Sequence, residues 1–196
     1  MKEFYRRHLP HWQPVEAVFF VIFRLKNSLP FEVIGALREK RERAAQTQLD
    51  QNLYFERWEG FLDKEEFGPR WLAQPDIAEI VKEAMHYRDR NIFDLHAFCI
   101  MPNHVHVVIE PISKSGCQPE LPKILQSLKR HTARQANLIL GREGAFWQDE
   151  SYDHVIRDNE EYTRIIHYVL ENPVKAGLVS TWKEWRWTYH KPETNL

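Results

Sequence analysis

The chain has 196 residues, a formal net charge of −1, 43% hydrophobic residues and only 7 glycines. This length and hydrophobic content are sufficient for one domain with a sizeable core, and they argue against disorder. The scarcity of glycine also argues against an all-β barrel with many tight turns. The near-neutral net charge excludes the strongly positive overall charge that is typical of many nucleic-acid-binding proteins. Any contact with phosphates must therefore come from a local basic patch.

No apolar run approaches the roughly 18 residues needed to span a bilayer. The opening residues MKEFYRRHLP lack the apolar segment of a signal peptide. We therefore expect no membrane association and a cytoplasmic location. The two cysteines, Cys99 and Cys117, provide neither a disulfide framework nor a Cys-x-x-Cys metal motif.

The first half of the chain predicts one strand and two helices. Residues 17–25, AVFFVIFRL, form a continuous apolar run that is typical of a buried strand. Residues 31–49 predict a helix with a heavily charged, solvated second half. Residues 50–75 are interpreted as an insertion between core elements, and helical periodicity resumes over 76–88.

Residues 95–111, LHAFCIMPNHVHVVIEP, predict a β-hairpin around a Pro-Asn turn. Side chains alternate along a strand, so His104, His106 and Glu110 share one face, which we expect to lie away from the core. Two imidazoles at positions i and i+2 supply two converging ligands for a divalent cation, and a third must come from elsewhere. The alternative is a half-exposed strand with two solvated histidines.

Residues 121–141 predict a helix that ends on a C-cap glycine. This stretch and the arginine after it contain five lysines or arginines and no acid. In a chain whose charges otherwise balance, such a face predicts contact with nucleic-acid phosphates through Lys129, Arg130 and Arg134. The alternative is a surface helix with incidental basic residues.

The last part of the chain predicts a strand within 146–157 and then a helix. Asp158 is the expected N-cap of this helix, with Glu161 as its capping-box partner, and Pro173 is expected to end it. Residues 180–196 are rich in tryptophan and predict a capping segment in which these side chains are buried.

The order of elements predicts an α+β fold, a ferredoxin-like or RNA-recognition-motif-like βαββαβ sandwich with an antiparallel sheet and extra helices. Helices cover one sheet face and leave the other for a site. On the last helix, Arg164, Tyr168 and Asn172 follow at i+4 steps and are expected on a side separate from the buried one. Tyr168 and Asn172 can meet the strand histidines only if this helix packs over the open face.

Several stretches of the chain resemble the HUH single-strand DNA endonucleases, in particular the REP-associated tyrosine transposases. The opening HLPHWQPVEAVFFVIFRLKNSLP is similar to the family's N-terminal strand region, so the resemblance spans most of a single domain over 1–196. The stretches that carry it are MPNHVHVVIEP at 101–111, SLKRHTARQAN at 127–137, FWQDESYDHVIRD at 146–158 and YVLENPVKAGLV at 168–179.

Carried over by position, the resemblance implies that Tyr168 is the nucleophile on a C-terminal catalytic helix. It also implies that His104, His106 and Asn172 are metal ligands. Tyrosine, with a pKa of about 10, is a weak nucleophile at neutral pH, but a nearby cation stabilises the phenolate. Two imidazoles and an amide oxygen suit Mg²⁺ or Mn²⁺. The implied reaction cleaves and rejoins DNA at hairpin-forming repeats through a 5′-phosphotyrosine.

The expected partner is single-stranded or hairpin DNA, bound by a monomer or a homodimer that is associated with the nucleoid. Two alternatives remain open. One is a DNA-binding protein of the same fold without transposition activity. The other is a cupin-like metal enzyme, because His104, His106 and Glu110 fit the H-x-H-x-x-x-E spacing, although four segments here predict helices and cupins need many short strands.

Overall fold

The computed structural model describes residues 4–6, 10–12, 14, 16–29, 68–114 and 119–192. The predicted helix at 31–49 and most of the predicted insertion at 50–75 lie outside these residues. None of the three described helices is both long enough and apolar enough to cross a bilayer. The described elements are β1 (Phe4–Arg6), β2 (Pro10–Trp12), β3 (Phe19–Arg24), α1 (Pro75–Arg88), β4 (Phe93–Ile100), β5 (His104–Pro111), α2 (Leu121–Ile139), β6 (Tyr152–Val155), α3 (Asn159–Lys175) and β7 (Thr188–His190).

Five strands form one antiparallel sheet in the order β6-β3-β5-β4-β7, and β1 pairs with β2 in a separate hairpin. β3, β4, β5 and β6 are joined through α1 and α2 in the βαββαβ order of a ferredoxin-like sandwich. The predicted fold class is therefore confirmed, with β7 added beside β4. The cupin-like alternative is wrong, because that architecture requires two packed sheets of short strands.

The sheet separates two hydrophobic layers. On one face α1 and α2 pack against side chains that include Val21, Phe23 and Val107. On the other face α3 packs against side chains that include Phe20 and Val108. β3 is buried on both faces, which explains its continuous apolar sequence. The last helix of the sandwich therefore covers the face that was expected to hold the site.

The β4–β5 hairpin has the predicted turn and one irregularity. The strands pair from Phe93 opposite Pro111 to Ile100 opposite Val105. The register shifts between Leu95 and Ala97, so that His96 is the additional residue of a β-bulge. The sequence alternation therefore changes phase at this position of β4.

The N-terminus of α3 is capped by Asp158, as predicted. The Asp158 carboxylate accepts a hydrogen bond of 2.8 Å from the Glu161 backbone N–H. Glu161 does not complete the expected capping box, because its carboxylate accepts from the backbone N–H of Arg157 at 2.9 Å and lies 2.9 Å from His154 Nε2. These contacts connect the start of α3 to β6 and to the residues after it.

Pro173 lies inside α3, so the prediction that it ends the helix is wrong. Proline removes one intrahelical hydrogen bond, a loss that is tolerated here because the helix stops soon afterwards at Lys175. Gly177, with φ of 69°, follows as the left-handed residue that is typical of a helix end. The helical conformation therefore includes Asn172.

We expect Asp158→Ala to lower the free energy of unfolding by about 1 kcal/mol, because it removes the side-chain cap of α3. Urea denaturation measures this change. Asp158→Asn is the matched control, since its amide oxygen can still accept from the Glu161 N–H. An alanine variant as stable as the asparagine variant would contradict the cap.

Candidate active site

His104 and His106 project from β5 into the layer beneath α3, where both are fully buried. Their Nε2 atoms lie 2.7 Å apart, and the ring planes cross at 82°. Two nitrogen ligands at about 2.1 Å from one ion are themselves separated by about 3 Å. The pair therefore has a geometry that can hold one cation. The expectation that these residues lie away from the core is wrong, because α3 covers them.

Asn103, in the turn before β5, sets the orientation of the first histidine. Its side-chain oxygen lies 2.5 Å from His104 Nδ1, and Asn103 is itself fully buried. An amide oxygen only accepts hydrogen bonds, so Nδ1 carries the proton and Nε2 keeps its lone pair. This arrangement is common around metal-bound histidine. The sequence predicts Asn103 only as a turn residue, although its place directly before the histidine pair is a signal for this second role.

α3 brings Tyr168 and Asn172 to the same place. Asn172 is fully buried, and neither its Oδ1 nor its Nδ2 makes a hydrogen bond of ordinary geometry with the described residues. The Tyr168 ring lies 5.6 Å from the His106 ring, centroid to centroid, and its hydroxyl is buried. A buried amide that lacks ordinary hydrogen bonds is costly for stability. Asn172 therefore fits the position of an oxygen ligand beside the two imidazoles.

Arg164 does not share the side of α3 that holds Tyr168 and Asn172. Arg164 is exposed, whereas Tyr168 and Asn172 face the sheet. Each i+4 step advances about 40° around a helix of 3.6 residues per turn, so two steps move a side chain about 80°. The expected common side, separate from the buried one, is therefore wrong.

The electrostatics of the buried pair favour neutral imidazoles. Burial lowers the pKa of His104 to about 3, and the nearby Arg24 guanidinium adds to this effect. The pKa of His106 is held well below its usual 6.5 by burial first, then by His104 and the Lys175 ammonium, whereas the Asn172 side chain raises it by accepting from the ring. Neutral imidazole is the form that binds a metal ion.

Two further side chains contact the nucleophile candidate. Lys175 places its Nζ 4.3 Å from the centroid of the Tyr168 ring. Phe20 on β3 stacks on His106 at 6.0 Å and meets Tyr168 edge to face at 6.1 Å. The ammonium favours negative charge on the tyrosine, and the phenylalanine holds the two functional rings in place. The sequence predicts Phe20 only as part of a buried strand.

The basic residues predicted on α2 lie in the other layer of the molecule. Lys129 Nζ donates to the carbonyl oxygens of Gln148 at 2.5 Å and Asp149 at 2.9 Å, so it supports the segment before β6. Arg130 and Arg134 are exposed. The structure therefore does not bring these three side chains together with the buried histidines.

Glu110 also lies apart from the histidine pair. It is four residues beyond His106 on the same strand, which corresponds to about 13 Å. Its carboxylate instead belongs to a cluster with Asp94 and His96, whose ligand atoms all lie within 4.8 Å of one another. Among the described residues, this cluster is a second candidate cation site.

Residues 70–172 match the family described as "Transposase IS200 like". A putative REP-associated tyrosine transposase of Haemophilus influenzae is 26% identical over 112 residues, which are 50% of this chain and 60% of that protein. A REP-associated tyrosine transposase of Escherichia coli is 29% identical over 105 residues, which are 53% of this chain and 58% of that protein. The chain thus covers less than two thirds of the length of these relatives.

A solved structure of a REP-associated tyrosine transposase bound to a REP hairpin is similar in fold. It aligns with a TM-score of 0.51 and 18% identity, over 94% of this chain and 80% of that one. The family match over residues 70–172 and the two curated relatives, together with this similarity in fold, confirm the resemblance derived from the sequence motifs.

In protein stripped of metal, we expect the free energy of unfolding to fall as the pH drops below about 6.5. The folded-state pKa values of His104 and His106 lie below the unfolded value, so in this window the unfolded chain binds protons that the folded chain does not. Each group contributes up to about 1.4 kcal/mol per pH unit.

Urea denaturation from about pH 7 down to about pH 4 measures this slope. His104→Gln removes one titrating group and should give a shallower slope than the unmodified protein. Equal slopes would contradict the burial of neutral His104.

Proposed function

This chain belongs to the IS200-like transposase family, and from that premise we propose that it cleaves and rejoins single-stranded DNA through a 5′-phosphotyrosine intermediate. The observation that carries the proposal is the meeting of Tyr168 and Asn172 with His104 and His106 under α3. Hairpin-forming repeats are the proposed substrate, since the solved relative with the same fold is bound to a REP hairpin.

The proposed reaction is a transesterification. The Tyr168 hydroxyl oxygen forms a bond to the phosphorus while the bond from phosphorus to the 3′ oxygen breaks. The phenol loses its proton and the departing 3′ oxygen gains one, so neither water nor a nucleotide cofactor is consumed. Lys175 beside the Tyr168 ring would favour the charged phenolate. A later attack by a 3′-hydroxyl on the phosphotyrosine reverses the step and joins the strands.

His104, His106 and Asn172 would hold the divalent cation, for which Mg²⁺ or Mn²⁺ is proposed. Such a cation supplies Lewis acidity to the scissile phosphate and lowers the pKa of the attacking hydroxyl. Mn²⁺ accepts nitrogen ligands somewhat better than Mg²⁺. The residues themselves prepare the site, because Asn103 fixes the tautomer of His104 and the depressed pKa values keep both imidazoles neutral, the form that binds a metal ion.

We also propose that Arg130 and Arg134 hold the DNA backbone outside the catalytic layer. α2 and α3 lie on opposite faces of the sheet, so a strand that contacts both must pass around a sheet edge. Lys129 supports this path by bonding the segment that leads into β6, the edge strand next to β3. It therefore acts by positioning the edge as well as by its charge.

The central test uses labelled single-stranded repeat DNA with Mn²⁺ and looks for a protein–DNA adduct that survives denaturation. We expect the adduct in the unmodified protein and none in Tyr168→Phe, which loses only the attacking oxygen. Binding of DNA and metal should be unchanged in this variant. An adduct that persists in Tyr168→Phe would assign the nucleophile elsewhere, and cleavage without subsequent joining would favour a protein that has lost transposition.

Asn172→Ala should weaken metal affinity and slow adduct formation, with partial rescue by excess Mn²⁺, because it removes a ligand and leaves the nucleophile. His167→Ala is the matched control, since His167 is an exposed residue of the same helix. Adduct yield as a function of Mn²⁺ concentration measures both variants. If His167→Ala shows the larger shift in Mn²⁺ requirement, the ligand assignment fails.

Replacing both Arg130 and Arg134 with glutamine should weaken DNA binding. It should also reduce the salt dependence of binding by about two released counterions. Binding isotherms at several salt concentrations give the slope. Lys123→Gln, on the same helix and exposed, is the control for a general loss of positive charge. A slope that is unchanged in the double variant would remove α2 from the DNA path.

A further inference from the structure

We propose that Asp94, His96 and Glu110 bind a second divalent transition-metal ion, Zn²⁺ or Mn²⁺, which ties the β4–β5 hairpin to the first turns of α3. The proposal does not depend on the endonuclease activity. The cluster lies on the same face of the sheet as the histidine pair but about 13 Å along β5. It is therefore a separate site.

The strand pairing brings the three side chains together. Asp94 and Glu110 are directly opposite each other on β4 and β5. His96 is the additional residue of the bulge, and a bulge is a common means of redirecting one side chain. Three ligands on two paired strands need no loop to be ordered, which keeps the entropic cost of binding small.

The His96 ring presents a buried donor atom to both carboxylates. Its Nε2 makes no hydrogen bond with the described residues, and it lies 3.7 Å from Glu110 Oε2 and 4.0 Å from Asp94 Oδ2. These distances are too long for hydrogen bonds. They suit ligands that each lie about 2.1 Å from one shared ion. One imidazole and two carboxylates form a donor set that Zn²⁺ and Mn²⁺ both accept.

The other nitrogen of His96 connects the cluster to α3. His96 Nδ1 lies 2.8 Å from the hydroxyl oxygen of Tyr162, in the first turns of that helix. If Nε2 binds the ion, Nδ1 carries the proton and donates it to the Tyr162 oxygen. Burial lowers the pKa of His96, so the ring is neutral at neutral pH. The ion would thus stabilise the helix that carries Tyr168.

Lys191 competes with the proposed ion. Its Nζ lies 2.5 Å from Asp94 Oδ2, the same oxygen that faces His96. The ammonium therefore neutralises one ligand, and binding of the metal requires it to move or to share the carboxylate. Removing this charge should strengthen metal binding, whereas a cluster that serves only as an ion pair with Lys191 would lose stability without binding metal.

The test is titration of the metal-stripped full chain with Zn²⁺ by calorimetry, followed by thermal unfolding with and without Zn²⁺. His96→Gln should bind one ion fewer than the unmodified protein and lose the part of the Zn²⁺-dependent rise in Tm that the second ion supplies. His106→Gln is the matched control, because it changes the other histidine site and should keep that part of the rise. Tyr162→Phe should weaken binding about 10-fold or more, as expected for loss of an outer-shell partner.

Lys191→Gln should bind Zn²⁺ more tightly than the unmodified protein. If His96→Gln is too unstable to measure, Glu110→Gln answers the same question, since its side chain is 38% exposed and tolerates change more easily. The proposal is overturned if His96→Gln or Glu110→Gln keeps the stoichiometry and the Tm rise of the unmodified protein. Tyr168→Phe should lose the protein–DNA adduct and still bind the second ion. This outcome distinguishes a failure of the second metal site from a failure of the proposed endonuclease activity.

Discussion

The site depends on the docking of α3 across the sheet. Ile166, Val169 and Leu170 bury their side chains against the sheet face that includes Phe20 and Val108. Burial of each large apolar side chain stabilises the folded state by about 1.5–3 kcal/mol. That gain offsets the cost of burying two imidazoles and an amide that would each be better solvated in water. The apolar contacts thus hold polar groups where the proposed chemistry needs them.

The two faces of the central sheet bury different kinds of side chain. One face is a conventional hydrophobic core under α1 and α2, and the other combines a smaller apolar cluster with the functional side chains. β3 contributes to both, because Val21 and Phe23 point to one layer and Phe20 and Ile22 to the other. Burial of apolar side chains in the first layer offsets the cost of the buried polar groups without ordinary hydrogen bonds in the second, of which Asn172 is the clearest case.

α3 carries functional groups at both of its ends. Tyr162, near its start, contacts His96, whereas Tyr168 and Asn172, in its second half, meet the buried histidine pair. Backbone hydrogen bonds from residue i to residue i−4 join the successive turns of a helix, so a shift at one end is passed along to the other. This coupling gives the proposed second ion a role in positioning the nucleophile.

Local sequence signals determined the elements and the direction of their side chains. Alternation placed His104 and His106 on one strand face, and Asp158 marked the start of α3, because strand period and capping chemistry involve neighbours in the chain. The order of elements was sufficient for the ferredoxin-like sheet. The motifs around Tyr168 and the histidines were sufficient for the family.

Only the tertiary structure decided what these residues meet. Four features differ from the sequence-based expectations or were absent from them. They are the burial of both histidines, the hydrogen bond that His104 donates to Asn103, the position of Pro173 inside α3 and the grouping of Glu110 with His96. The burial of the histidines and the grouping of Glu110 with His96 result from contacts between residues far apart in the chain. Sequence periodicity carries no information on such contacts. For the proline the reason is also geometric, because Gly177, two residues beyond Lys175, sets the helix end.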